Sequence, residues 1–219
     1  MLFVIMFILV WLPITLFYPT KVIGKKNMPK KKGAVVVCNH LSNLDPILLN
    51  IKLVKKIRFL GKAELFKSKF GAWFYRGLGA IPVNRGTADI NAIKQGLKVL
   101  KEDKLLGVFP EGTRNKTENE SQMGEVHEGA IMFASRAGVP IVPIVIYKRP
   151  KFLRRNIIAV GEPFMVQGEK PNKLTPEETS AALEEMTNRI NALRAKLDEK
   201  YNKKNNLKTI WIYKINLGF

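Results

Sequence analysis

Cysteine and histidine are nearly absent from this chain: one cysteine, Cys38, and two histidines, His40 and His127, in 219 residues. A single thiol makes no disulfide framework, and a reducing compartment is the simpler setting. No Cys/His spacing suited to a metal site is present. The glycine loops that cradle phosphates are missing too, both Gly-x4-Gly-Lys-[Ser/Thr] and Gly-x-Gly-x-x-Gly, which argues against P-loop and dinucleotide-binding proteins. Acids are scarce, 18 against 37 Lys+Arg, for a net charge of +19. The imbalance is steepest early: residues 1–60 hold ten basic residues and a single acid, Asp45. Such a surface attracts polyanions, either nucleic acid or anionic lipid. Hydrophobic residues make up 46% of the chain, enough to build the core of one ordinary domain. There is no internal repeat.

Charge of either sign is missing from Met1 to Thr20, and the run from Leu2 to Phe17 is almost continuously apolar, broken by Pro13. A cleaved signal peptide carries its positive charge before the apolar stretch. Here Lys21, Lys25, Lys26, Lys30, Lys31 and Lys32 follow it. The order predicts an uncleaved N-terminal membrane-anchoring helix with its C-terminal side on the cytoplasmic face. Its length is at the short end for a hydrocarbon layer of about 30 Å, and Pro13 kinks or ends a helix. Spanning and half-inserted arrangements both remain open. Because the basic block adjoins this segment, anionic lipid is the expected partner and nucleic acid is not. Residues 1–32 are thus expected to form anchor and basic linker, 33–204 a folded domain, and 205–219 a tail. The tail mixes Trp211, Tyr213 and Phe219 with Lys208 and Lys214, which fits either a last strand or an interfacial segment.

Within the domain, strands and helices alternate. Apolar β-branched runs predict strands at 34–38, 57–60, 79–83, 105–109, 141–147 and 156–160, the third an edge strand because of Pro82. Helices are expected over 65–76, with Phe66, Phe70, Trp73 and Phe74 on one face, over 89–101, and over 126–138 with a glycine C-cap. Another opens at Asp45-Pro46, with Asp45 as N-cap. A long helix starts near Pro176, capped by Thr175 with Glu178 three residues on, and runs to about Lys203. The fold class is α/β: a mixed, largely parallel sheet flanked by helices.

Four segments carry chemistry-bearing residues at strand ends, where α/β proteins place their sites. In Asn39-His40-Leu41-Ser42-Asn43-Leu44-Asp45, a histidine faces an aspartate across a turn. On one continuous helix, positions five apart lie about 140° out of alignment. Across a turn, the carboxylate can accept from one ring nitrogen and leave the other basic. Alone, Asp45 also reads as a mere N-cap. Phe109-Pro110-Glu111-Gly112-Thr113-Arg114 closes another strand and alone is a turn. Gly79 to Arg85 is a strand ending in arginine, which alone is a solvated charge. Val139-Pro140-Ile141-Val142-Pro143 alone is packing.

Together, in this order and spacing, the four segments resemble the lysophosphatidic acid acyltransferase family of glycerolipid enzymes. Asn39, His40 and Asp45 match its His-x4-Asp motif, Arg85 its second, Phe109 to Arg114 its third at six positions, and Val139 to Pro143 its fourth. The match covers residues 33–165. One departure is Val126-His127-Glu128-Gly129, where the family often has a lysine before the glycine. The resemblance implies that residues 33–204 are an acyltransferase domain moving a fatty acyl group from a thioester to the sn-2 hydroxyl of 1-acyl-glycerol 3-phosphate. It implies His40 as general base held by Asp45, Arg85 and Arg114 on the acceptor phosphate, and Glu111, Gly112 and Thr113 in substrate binding. The donor is acyl-CoA or acyl-carrier protein, with no further cofactor, and the active site lies on the cytoplasmic face of a membrane. Ser42 lacks a Gly-x-Ser-x-Gly elbow and Cys38 lies in an apolar strand, so neither reads as a nucleophile. The rival readings are a superfamily enzyme acting on glycerol 3-phosphate, another lysolipid or an amino-lipid, and a non-enzymatic tethered binder of anionic lipid or nucleic acid. The binder leaves His-x4-Asp and the two strand-end arginines unexplained.

Overall fold

A computed structural model describes residues 11–84, 89–115, 123–169 and 173–216, with side chains to Tyr201. Seven strands form one sheet in the order β1-β7-β6-β2-β5-β3-β4. They are β1 (Thr20–Ile23), β2 (Ala34–Cys38), β3 (Ile57–Lys62), β4 (Ile81–Val83), β5 (Leu105–Val108), β6 (Ile141–Ile146) and β7 (Asn156–Val160). The helices are α1 (Asp45–Leu53), α2 (Lys69–Gly77), α3 (Ile90–Lys101), α4 (Gly129–Ala137) and α5 (Pro176–Asn216). Every neighbouring pair of strands is parallel except β6 with β7. The expected mixed, largely parallel sheet between helices is present.

The run Ala34-Val35-Val36-Val37-Cys38 is fully buried because β2 is central and covered on both faces. Val35 and Val37 point into a core shared with Leu100 of α3, Ile131 and Phe133 of α4, and Met186 and Ile190 of α5. Val36 and Cys38 point the other way, into a core with Leu48 and Leu49 of α1 and with Ile14 and Met28. This alternation follows from the two-residue period of a strand.

Several sequence expectations hold. β4, with its proline, is an edge strand. Gly138 ends α4 in the left-handed region at φ 62°. The N-terminus of α5 carries a capping box, in which Glu178 N–H donates to Thr175 Oγ1 at 3.2 Å and Thr175 N–H to Glu178 Oε2 at 2.7 Å.

Others are corrected. The stretch read as a basic linker contains β1, which pairs with β7 from Thr20↔Asn156 to Ile23↔Ala159. β1 is only four residues, Thr20-Lys21-Val22-Ile23, too short for its strand signal to stand out between an apolar stretch and a basic one. The helix expected over 65–76 divides into a 3-10 turn, Ala63–Phe66, and α2. Ser68 forces the break by capping α2, its Oγ accepting from Gly71 N–H at 2.9 Å. The aromatic face of α2 is not buried: Phe70 is 71% exposed and Trp73 44%. Residues 205–216 of the tail are not a strand, since α5 continues helically to Asn216.

Residues 11–17 are helical, but no helix among the described residues is long and apolar enough to cross a membrane. An anchoring helix at the N-terminus therefore has no support from the described residues, and residues 1–10 of that segment lie outside them.

Candidate active site

The five adjacent parallel strands β6, β2, β5, β3 and β4 bring their C-terminal ends to one edge of the sheet, and the loops leaving β2 and β5 meet there. Asn39 ties the first of these to β6. Its Nδ2 donates to the Ile146 carbonyl at 3.0 Å, and its Oδ1 accepts from Ile146 N–H at 2.8 Å. The chain turns at His40 and re-enters helix at Asp45.

Asp45 is fully buried and is the first residue of α1, not its N-cap; Leu44 holds that position. Its carboxylate points back into the turn instead. Oδ2 lies 2.9 Å from His40 Nδ1 and accepts from Leu41 N–H and Ser42 N–H, each at 2.7 Å. An oxygen receiving two backbone N–H groups is an acceptor towards the ring as well. Nδ1 therefore carries the hydrogen, and Nε2 is left as the available base. Asp45 Oδ1 is buried and has no hydrogen-bond partner among the described residues.

The β5 loop holds the other side of the histidine. The ring of His40 stacks on Phe109 with centroids 4.0 Å apart and planes 15° from parallel. Phe109 stacks in turn on Phe59 of β3 at 5.0 Å. Glu111 is buried and works through the backbone: Oε1 accepts from His40 N–H and Oε2 from Gly124 N–H, each at 3.0 Å. The His40 carbonyl accepts from Asn115 N–H at 2.8 Å. Gly112 sits at φ 64° in the tight turn, a conformation other residues adopt only with strain. A Cβ there would also lie 3.2 Å from the His127 ring. Thr113 and Arg114 are exposed on this loop.

A cleft of about 250 Å³ opens beside His40. Ile47, Phe59, Leu65, Phe74 and Leu78 are among its apolar walls, and Arg114 and Lys62 belong to its lining. Cys38, one residue before this loop, is buried. Burial pushes its thiol pKa well up, and the nearby Asp45 and Glu111 carboxylates add to the rise. It is therefore a poor nucleophile.

The structure brings together His40, Asp45, Glu111, Gly112, Thr113 and Arg114. Arg85 lies outside the described residues. Lys62 went unnoticed in the sequence, although a cation at the end of β3 is the same signal that singled out Arg85. Phe109 opens the third motif, but its stacking between His40 and Phe59 was invisible because the three rings come from separate segments of the chain.

An acyltransferase domain model matches residues 19–147. The chain belongs to the acyltransferase family and is an enzyme of acyl transfer. The 1-acyl-sn-glycerol-3-phosphate acyltransferase of Bacillus subtilis is 31% identical over 186 residues, 82% of this chain and 90% of that protein. The enzyme of that name from Borreliella burgdorferi is 31% identical over 143 residues, 63% of this chain and 54% of its own length. The crystal structure of the 1-acyl-sn-glycerophosphate acyltransferase from Thermotoga maritima is also similar, with a TM-score of 0.66 and 25% identity. That match covers 88% of this chain and 80% of the other.

Proposed function

We propose that the protein transfers a fatty acyl group from a thioester to the sn-2 hydroxyl of 1-acyl-glycerol 3-phosphate, forming phosphatidic acid. The observation that carries this reading is the His40–Asp45 pair standing at an apolar cleft whose lining also holds cations. The acyl chain lies among Ile47, Phe59, Leu65 and Phe74, where each buried methylene contributes about 0.8 kcal/mol. Arg114, Lys62 and Arg85 hold the acceptor phosphate, for which a guanidinium fork is suited.

His40 Nε2 takes the proton from the sn-2 hydroxyl as its oxygen attacks the thioester carbonyl. Asp45 stabilises the imidazolium through Nδ1–H. Collapse of the tetrahedral intermediate breaks the C–S bond, and His40 returns the proton to the departing thiolate. No acyl-enzyme and no cofactor are needed. Glu111 positions His40 through its backbone, and Gly112 shapes the loop that presents Thr113 and Arg114 to the acceptor. The donor is acyl-CoA or acyl-carrier protein, both of which bring negative charge to a basic surface. The apolar N-terminal stretch ahead of Ile14 holds the enzyme on the membrane with its site on the cytoplasmic face.

Purified enzyme given lysophosphatidic acid and each donor should yield phosphatidic acid by mass detection. Product from neither donor overturns the assignment. Glycerol 3-phosphate and other lysolipids, run in the same panel, decide the acceptor.

A further inference from the structure

The aromatic face of α2 carries the most exposed large hydrophobic residue among those described, Phe70, and packing does not explain it. Phe70, Trp73 and Phe74 follow i, i+3, i+4 spacing and so share one helix face. The ring of Phe70 lies 5.9 Å from that of Trp73 and 6.2 Å from that of Phe74. Leu65, in the preceding turn, is 41% exposed. Around these residues stand Lys62, Lys67, Lys69 and Arg76, all exposed. The one acid among residues 62–76 is Glu64, already paired with Lys62 at 3.0 Å. Leu65 and Phe74 also line the cleft beside His40, so this face adjoins its mouth.

A second feature of the same composition lies across the site. The β6–β7 loop carries Lys148, Arg149, Lys151, Arg154 and Arg155, and no acid occurs from Tyr147 to Val160. Phe152 and Leu153 stand exposed among these cations, Leu153 in the left-handed region at φ 52°. The loop is joined to the N-terminal helical segment: Phe152 stacks on Phe17 at 5.1 Å, and Leu153 N–H donates to the Phe17 carbonyl at 2.7 Å. β3 leads to α2 and β6 leads to this loop. The two strands run parallel in the sheet, so both features sit at the edge that carries His40.

We propose that α2 and the β6–β7 loop form one docking face for an anionic leaflet, holding the mouth of the cleft against the bilayer. This rests on the membrane-bound reading above and adds which surface of the domain meets lipid. Aromatic rings ringed by lysine suit the headgroup region, where rings sit at the interface and cations pair with lipid phosphate. A protein partner is the poorer fit, because protein interfaces are depleted in lysine.

The test uses the full chain reconstituted into vesicles of phosphatidylcholine with phosphatidylglycerol. Phe70→Cys and, as control, Gln95→Cys on the exposed side of α3 each receive an environment-sensitive fluorophore. The buried Cys38 is replaced by Ser. The label at 70 should emit to the blue and be quenched by spin-labelled lipid, more weakly in phosphatidylcholine alone, while the label at 95 stays in water. A label at 70 that reports water overturns the proposal. So does one shielded from aqueous iodide yet untouched by spin-labelled lipid, since another protein surface then covers α2. These readouts need no turnover, so they stand apart from the assignment of the reaction. In the activity arm, Phe70→Ser with Trp73→Ser should raise the apparent KM for bilayer-embedded acceptor on the order of tenfold. Turnover of a monomeric short-chain acceptor should be unchanged. Equal KM values in bilayers would also overturn it.

Discussion

Asp45 and the peptide groups it receives show how one residue can look like a cap and serve a ring. Its Oδ2 accepts from two backbone N–H groups as well as from His40, so the carboxylate organises the turn and the imidazole together. Asp45→Asn separates these roles. The amide oxygen can occupy the Oδ2 position and keep all three contacts, leaving its NH2 where the unpartnered Oδ1 now lies. The turn should survive with a loss of about 1–3 kcal/mol for the buried, unsatisfied NH2. The charge that stabilises the imidazolium is gone, so kcat should fall by roughly 10²–10⁴-fold. Urea unfolding and turnover on the same sample check both numbers. Near-normal activity would leave Asp45 a structural residue only. Cys38 supplies a second residue-scale expectation. With its thiol buried and its pKa raised, a neutral disulfide reagent should label it only after denaturation, as absorbance at neutral pH will show.

At the scale of elements, the site depends on a stack that crosses three segments: Phe59 on β3, then Phe109 after β5, then His40 after β2. Gly107 makes it possible. It pairs directly with Phe59 across β3 and β5, and the aromatic ring lies over the missing side chain. A Cβ at position 107 would stand 2.3 Å from the Phe59 ring. Gly107→Ala should therefore push Phe59 aside, costing about 1–3 kcal/mol of stability by overpacking. It should also lower turnover by tilting the rings behind His40, although residue 107 touches no substrate. Thr175→Ala is the opposite case. It removes the capping box of α5 and should cost about 1 kcal/mol in chemical denaturation. The cap is remote from the cleft, so kcat should be unchanged.

For the whole molecule, charge and the apolar N-terminus act together. A net charge of +19 favours anionic surfaces, but attraction of that kind is screened at high salt. If residues 1–20 anchor the chain, 1 M salt should not strip intact protein from membranes. Deleting residues 1–10 should release most of it into the same extract. The deletion stops there because Ile14 belongs to the buried core, the Phe17 carbonyl accepts from Leu153 N–H, and Thr20 begins β1. Fractionation and immunoblotting of the two forms check this. Release of the full-length chain by salt alone would leave only the basic surface as its hold.

What the sequence determined by itself was the α/β order of elements and the family. Both are written in local signals: β-branched runs, capping residues, and four motifs each confined to a few consecutive positions. His40 and Asp45 were legible because a five-residue separation across a turn is itself local. The tertiary structure decided the rest. β1 takes its identity from β7, more than a hundred residues away. Glu111 and Asn39 act on His40 and Ile146 through backbone groups, which no side-chain pattern records. The aromatic face of α2 has the spacing of a buried stripe, and only packing reveals that Phe70 and Trp73 on it stay exposed. Periodicity reports that a helix has an apolar side, whereas long-range contacts determine what that side meets.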